Sequence, residues 1–290
     1  MLRALESLKQ QTVQGFKIII VNDASTHQET NEITEKLAGQ EHLSVVRHSK
    51  NLGLSGARNS GFQQMCNSIA MPLDADDTLP PEAVKQTLEV FNRHPEAEMI
   101  FGDYLIVSNG VAAPKKVSCE SLAPLNMELS IEALARNWIL MGQSPCKKSL
   151  WEKIEGYSPE FTNTVQDVDF WRRAALAGLK GYYTNAVLYH WHRSDTGMNN
   201  QVKEEDYLPL RIKSLPFYDR FNPEFGLEIR QYIYRYYAAR LMSTPLDLFV
   251  KRERAHFTFL QRLKVKIMMA PFFYKSCRTL KNKLAWPFRK

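Results

Sequence analysis

Three carboxylates stand within four positions at Asp74, Asp76 and Asp77, directly after the apolar run Ile69-Ala70-Met71-Pro72-Leu73. The run reads as a buried strand, and Pro81-Glu82 suits the first turn of a helix. The acids therefore fall where a strand ends, the usual ligand position in an open α/β sheet. Spaced so closely, they repel one another unless a cation offsets them. A hard divalent ion carrying a phosphate-bearing substrate is the chemistry this pattern suits, and an acidic loop capping a helix is the plainer alternative.

Other residues with chemical potential lie on both sides. Asp23 ends an apolar run, Phe16-Lys17-Ile18-Ile19-Ile20-Val21. Arg58 follows the glycine-punctuated stretch Asn51-Leu52-Gly53-Leu54-Ser55-Gly56. Gln166-Asp167-Val168-Asp169-Phe170-Trp171 opens a helical pattern, and His190-Trp191-His192-Arg193 closes an extended one. A lone histidine is usually structural, but two beside an arginine suit a phosphate-facing strand.

The elements that must position these residues follow from periodicity. Residues 1–11 read as a helix with Leu2, Leu5 and Leu8 on one face, and 16–21 as a strand. Ser25 or Thr26 can cap a helix running to about Leu37. Leu43–Arg47 is a second strand, and the glycine stretch runs into a helix. After the acids come a helix over Pro81–Arg93 and a strand over Glu98–Asp103. Strands alternating with helices predict an α/β, mostly parallel, Rossmann-like sheet with helices on both faces. Residues 104–145 are less regular, 181–192 look extended, and a helical pattern begins near Glu204.

The 290 residues, 44% hydrophobic and 24% charged, have the composition of a globular protein. Four dispersed cysteines with no CxxC pair argue against a zinc site or disulfide framework and fit a reducing cytoplasm. The net charge of +7 is concentrated at one end, since residues 251–290 carry 12 Lys/Arg against one acid, Glu253. The remainder is slightly acidic, so nucleic acid is not an expected partner. In His256–Met269 the residues Phe257, Leu260, Leu263, Ile267 and Met268 share a face, opposite Arg262, Lys264 and Lys266. That segment, with the aromatics and cations of 272–275 and 286–290, can lie on an anionic membrane surface or dock as an ordinary basic helix.

The succession Val21-Asn22-Asp23-Ala24-Ser25, Asn51-Leu52-Gly53…Ala57-Arg58-Asn59…Gly61, Leu73-Asp74-Ala75-Asp76-Asp77 and Gln166-Asp167-Val168-Asp169-Phe170-Trp171 resembles the family 2 glycosyltransferases of the GT-A fold. The similarity covers roughly residues 1–195, and the order of four individually weak motifs makes it specific. The resemblance implies a GT-A domain over 1–200 and a helical, basic C-terminal region over 201–290. It implies an inverting transfer of sugar from a nucleotide-diphosphate donor, a UDP-sugar foremost. The acceptor would be a hydroxyl of a glycan or lipid-linked molecule in cell-envelope polysaccharide synthesis.

By the same resemblance, Asp23, Arg58 and Asp74 would contact the nucleotide, and Asp76 and His192 would hold Mg²⁺ or Mn²⁺. Asp167 would be the catalytic base, an acceptor hydroxyl being a poor nucleophile until its proton is taken. Asp77 is expected to cap or support, and Arg173 to be structural. Gln166 stands where the family usually has Glu, and His190 where it usually has Arg. The expected location is cytoplasmic, at the inner face of the cell membrane.

Family members normally begin with a strand ending in a Pro-x-Tyr-Asn-like turn before the first helix, whereas this chain starts at that helix. A chain truncated by a misplaced start or a damaged gene is therefore expected. Two competing readings remain. One is a catalytically impaired glycosyltransferase-like scaffold. The other is a haloacid-dehalogenase-like phosphatase, because Asp74-Ala75-Asp76-Asp77-Thr78 also fits its DxDx[TV] signature with Asp74 as nucleophile.

Overall fold

The computed structural model describes residues 1–108, 113–162, 164–194, 204–240 and 242–269. They divide into two compact units, Met1–Leu210 and Arg211–Lys290. In the first, α1 (Leu2–Lys9), β1 (Ile18–Asn22), α2 (Gln28–Leu37), β2 (Leu43–Arg47) and α3 (Gly53–Gln64) occur in the expected order. β3 (Ile69–Ala70), α4 (Ala83–Arg93) and β4 (Met99–Ser108) follow, then β5 (Lys115–Val117), α5 (Ile131–Arg136), β6 (Cys146–Lys147) and α6 (Lys148–Lys153). α7 (Gln166–Leu176) and β7 (Gly181–Arg193) complete the framework of the site. The expected Ser25 or Thr26 cap is not used. His27 holds the N-cap position of α2 without a side-chain bond, and Ser25 Oγ instead accepts from the His27 N–H at 3.3 Å.

Parallel pairing joins β1 to β2 and β4 to β7. β6 runs antiparallel between β3 and β4, and β5 adds antiparallel to β4. Among the described residues β1 pairs only with β2, and β3 only with β6, so the strands form a two-stranded and a five-stranded sheet. The irregular stretch 104–145 thus contributes real sheet and helix, in pieces too short for a sequence period to register.

β4 is the buried spine, and strand alternation sends its side chains to two cores. Met99 and Phe101 pack with Leu122, Leu134, Leu150, Tyr157, Phe170 and Trp171. Ile100 packs with Leu79, Val90, Phe91, Leu188 and Tyr189 on the other face. The first core carries the start of α7. The second carries the segment following the three acids. α1 is sewn to that segment: Ser7 Oγ accepts from the Leu79 N–H at 3.2 Å, and Gln11 Nε2 donates to the Pro80 carbonyl at 2.9 Å.

The division between the units falls inside α8 (Glu204–Lys213). α9 (Leu215–Phe221), α10 (Pro223–Ala239), α11 (Ser243–Arg252) and α12 (Phe259–Met269) make the second unit helical. Its polar centre is Arg230, whose side chain is 3% exposed and donates to both Asp219 oxygens at 2.6 and 2.7 Å and to Glu253 at 2.9 Å. The apolar stripe expected across 257–268 divides differently. Phe257 and Val265 are buried, whereas Phe259, Leu260 and Leu263 are exposed. The side chains of Ile267 and Met268, and all of 270–290, lie outside the described residues. No helix among those described is long and apolar enough to cross a membrane.

Removing one partner of a buried ion pair leaves the other uncompensated, though Asp219 is partly solvated and moderates the loss. Arg230→Ala should therefore destabilise the second unit by about 2–4 kcal/mol. Amide hydrogen exchange across 215–252 is the measure, and protection unchanged from the native chain would contradict this account.

Candidate active site

The three acids are separated by environment. Asp74 accepts from Arg58 Nη2 at 3.0 and 3.3 Å and from Gln143 Nε2 at 2.5 Å, and its own N–H donates to the Tyr189 hydroxyl at 3.1 Å. Asp77 turns inward and is 2% exposed, accepting from the Tyr189 O–H at 2.8 Å and the His192 N–H at 2.7 Å. The Asp77 N–H closes a turn onto the Asp74 carbonyl at 3.0 Å. Asp76, between them, is exposed, and Arg3 donates to its backbone carbonyl at 3.3 Å. One tight turn thus yields a clamped, a solvated and a buried carboxylate.

The end of β7 lies against this turn. Thr78 and His190 exchange backbone bonds in an isolated antiparallel bridge. Thr78 Oγ1 stands 2.9 Å from His192 Nε2. Burial, with Arg3 adding to it, lowers the His192 pKa against an opposing pull from Asp76, which favours the neutral imidazole. Asp23 lies at the end of β1, where Oδ1 is 2.7 Å from His48 Nδ1 and accepts from the Leu52 N–H at 2.8 Å. His48 Nε2 continues to Ser60 Oγ at 2.8 Å.

α3 carries the link to the other side of the site. Ser55 Oγ donates to the Phe161 carbonyl at 2.5 Å. Asn59 donates to the Tyr157 carbonyl and accepts from Trp151 Nε1 and the Tyr157 N–H, all within 2.9 Å. Gly156, at φ +71°, lets the chain turn where any Cβ would meet Asn59 and Trp151. Arg173 fixes the following helix by bonding Asp169 and the carbonyls of Ile154 and Gly156. These bonds hold Asp167 in the first turn of α7, where Oδ1 accepts from the Val168 N–H at 2.8 Å.

Arg58 sits between the two sides with its side chain 7% exposed. Burial disfavours its charge, but Asp74, Tyr157 and Asp167 outweigh burial and raise its pKa above the ordinary value. It also stacks over the Tyr157 ring at 5.4 Å. Asp74 is therefore bonded to the guanidinium and Asp167 acts on it only through its charge, while Asp76 and His192 lie around one turn and Asp23 on the separate β1–β2 edge. Gln143, Tyr157 and Tyr189 are not singled out by the sequence. Tyr189 has a signal there, since it immediately precedes the histidine cluster, whereas Gln143 stands in a stretch without periodicity.

The sequence model of Glycosyl transferase family 2 matches residues 1–146. The chain belongs to that family. Among curated relatives, an uncharacterized glycosyltransferase of Haemophilus influenzae is 27% identical over 70% of this chain and 69% of its own length. The succinoglycan biosynthesis protein ExoW of Rhizobium meliloti is 25% identical over 79% of this chain and 78% of its own. The amylovoran biosynthesis glycosyltransferase AmsE of Erwinia amylovora is 31% identical, but over 32% of this chain, which spans only 35% of that relative. Among solved structures, S. aureus TarS superposes with a TM-score of 0.59 at 18% identity over 81% of this chain and 41% of its own. TarS 1-349 in complex with UDP-GlcNAc gives 0.57 at 18% identity, over 90% and 74%. These structures establish the shared GT-A architecture.

Family membership displaces the phosphatase alternative, and the geometry agrees with that. Asp74, the nucleophile such a reading needs, is held by Arg58 and Gln143. Among the described residues no three His, Cys, Asp or Glu side chains converge as a metal cage. An ion carrying a diphosphate takes one or two protein ligands and completes its shell with phosphate and water. The exposed Asp76 carboxylate beside a neutral-leaning His192 fits that donor set.

Burial pushes the Asp77 carboxyl up to about 7, with Asp76 and Asp74 adding repulsion and the His192 and Tyr189 donors opposing it. Its unfolded value is about 3.9, so between about pH 4 and 7 the folded state holds more protons than the unfolded one. Stability contributed by this group is present at low pH and is lost as pH rises through that window. Without divalent ions, Asp77→Asn should flatten the fall in Tm from about pH 5 to pH 8. A variant whose Tm follows the native pH curve would rule out Asp77 as its source.

Proposed function

We propose that this chain transfers a sugar from a nucleotide-diphosphate sugar, a UDP-sugar first, to a hydroxyl of a glycan or lipid-linked acceptor, inverting the anomeric centre. Residues 1–200 carry this chemistry, and 201–290 attach the protein to its surroundings. The observation that carries the reading is that Asp74, bonded to the buried Arg58, and Asp167, far apart in sequence, are brought against the adjacent residues Gln143 and Gly142. The existence of TarS complexes with UDP and UDP-GlcNAc supports the choice of donor. The names of the amylovoran and succinoglycan relatives support a role in cell-envelope polysaccharide synthesis.

In this scheme Asp23 receives the base or ribose through Oδ2, since Oδ1 is committed to His48 and Leu52. Asp74 contacts the ribose, with its angle set by Arg58 and Gln143. Mg²⁺ or Mn²⁺ held by Asp76, His192 and the donor's phosphates would supply Lewis-acid relief of the charge on the departing diphosphate. Asp167 takes the acceptor proton as the acceptor oxygen bonds to the anomeric carbon, and the bond to the diphosphate oxygen breaks with that oxygen keeping the electron pair. Attack from the face opposite the diphosphate needs no protein nucleophile.

A thermal-shift panel of UDP-, GDP- and dTDP-sugars with and without Mn²⁺ tests the donor, because a specific ligand raises Tm by mass action. UDP-sugars with Mn²⁺ should give the shift. Asp167→Asn should keep that shift while lowering transfer by about 10²–10⁴-fold, the usual worth of a positioned base. Full turnover in Asp167→Asn, or no nucleotide sugar bound by the native chain, overturns the reading and leaves the scaffold alternative.

We further propose that the protein works peripherally at the cytoplasmic face of the membrane. Exposed Phe259, Leu260 and Leu263 on α12 stand beside exposed Lys264 and Lys266, the pairing that favours anionic lipid. Cosedimentation with vesicles containing anionic lipid, but not with purely zwitterionic ones, is expected. Leu260→Asp with Leu263→Asp should abolish it, and binding indifferent to lipid charge or to these substitutions would refute the proposal.

A further inference from the structure

The segment Met141–Ser144 reaches both sides of the site. Gln143 Nε2 donates to Asp74 Oδ2 at 2.5 Å. One residue earlier, Gly142 lies directly against Asp167. A Cβ built on Gly142 would overlap Asp167 Oδ2 and stand 2.7 Å from both the Cβ and the Cγ of Asp167. Because Asp167 Cβ is itself too close, rotation of the carboxylate alone cannot relieve the overlap. Either the segment or the first turn of α7 must move. α7 fixes the segment in return, since Trp171, 1% exposed, donates Nε1–H to the Gly142 carbonyl at 3.1 Å. The main chain at Gly142 is thus pinned to the helix that carries Asp167, at a separation only glycine permits.

We propose that Gly142 and Gln143 are positioning residues of the transfer reaction, forming one strap that sets the Asp167 carboxylate with its first residue and the Asp74 carboxylate with its second. The inference rests on the sugar-transfer reading above. Gly142 leaves the Asp167 carboxylate the space that any Cβ at position 142 would fill. Gln143 is a neutral donor that orients Asp74 without competing with Arg58 for its charge. Because consecutive residues face the donor and the acceptor sides, strap geometry couples the distance between the two carboxylates to a single peptide unit.

The two residues should fail differently. Gly142→Ala should lower kcat by about 10²-fold, as misplacement by about an ångström does, with UDP affinity within about twofold of native. The acid limb of its kcat–pH profile should shift as the displaced carboxylate changes surroundings. Gln143→Ala should weaken UDP binding by roughly tenfold, the worth of one hydrogen bond to a charged group, with kcat within about threefold. Gly61→Ala is the control, since its Cβ would meet nothing closer than Val21 at 3.7 Å. Parallel loss of kcat and affinity in both variants, or native values in both, would overturn the strap. If the native chain neither binds UDP nor transfers sugar, the function reading fails separately. A crystal structure of Gly142→Ala then judges the strap: a displaced Asp167 with an undisturbed Asp74 supports it, and an unmoved Asp167 defeats it.

Discussion

A guanidinium buried under the site is the constraint on which the arrangement depends. Taking the Arg58 charge out of water costs several kcal/mol, and two of its nitrogens, Nε and Nη1, have no hydrogen-bond partner among the described residues. The cost is offset only if anions are close, and Asp74 is the one bonded to it, with the charge of Asp167 adding to the effect. Arg58 is thereby tied to the Asp74 carboxylate, and the Tyr157 ring against it adds attraction without adding charge.

The remaining acids show how one short turn produces different chemistry from identical side chains. Asp76 is left to solvent and available to a cation. Asp77 is drawn inside and given two donors, which anchor the turn to β7. Tyr189 mediates this division, donating its hydroxyl proton to Asp77 while accepting the Asp74 N–H. The site is thereby braced against the second core through a tyrosine packed with Ile100 and Leu188. The Asp167 side is braced against the first core through α7. β4 supports both, because its alternating side chains belong to both.

The strand order sets Asp23 apart from the acidic turn. Asp23 belongs to the β1–β2 pair, and the acidic turn belongs to the five-stranded sheet. α3 packs against β1 and at the same time bonds to Asp74 beyond β3, so it links the two sheets within the first unit. α3 thus serves both sheets and both sides of the site, its polar residues Ser55, Arg58 and Asn59 bonded to 157–162 and to Asp74 rather than left to solvent. This explains why a helix so rich in glycine and serine persists. Its stability comes from tertiary bonds rather than from propensity.

Much of this arrangement is legible in the order of the residues. The end of β1 is readable because an apolar run stops at Asp23, whereas the run expected as a buried strand up to Asp74 forms only the half-buried Ile69–Ala70 and leaves the acids four residues further on, in a turn. The order of four motifs marks the family, and the periodicities of α4 and α7 stand clear of their surroundings, whereas α1 buries Ala4 and Ser7 and leaves Leu2, expected on its apolar face, exposed. Long-range geometry is not legible. Which acid is clamped, solvated or buried depends on Arg58, Gln143 and Tyr189, and no local pattern brings those residues together. β5, β6 and the 141–144 segment are invisible because elements of two or three residues have no measurable period. The burial of Phe257 and Val265, with Leu260 left outside, likewise depends on which neighbour α12 meets. The sequence by itself determined the kinds of groups and, for Asp23, the strand end that bears it. Tertiary structure alone decided their environments, because desolvation and charge pairing depend on what surrounds a group in space, and that is set by residues from 16 to 115 positions away.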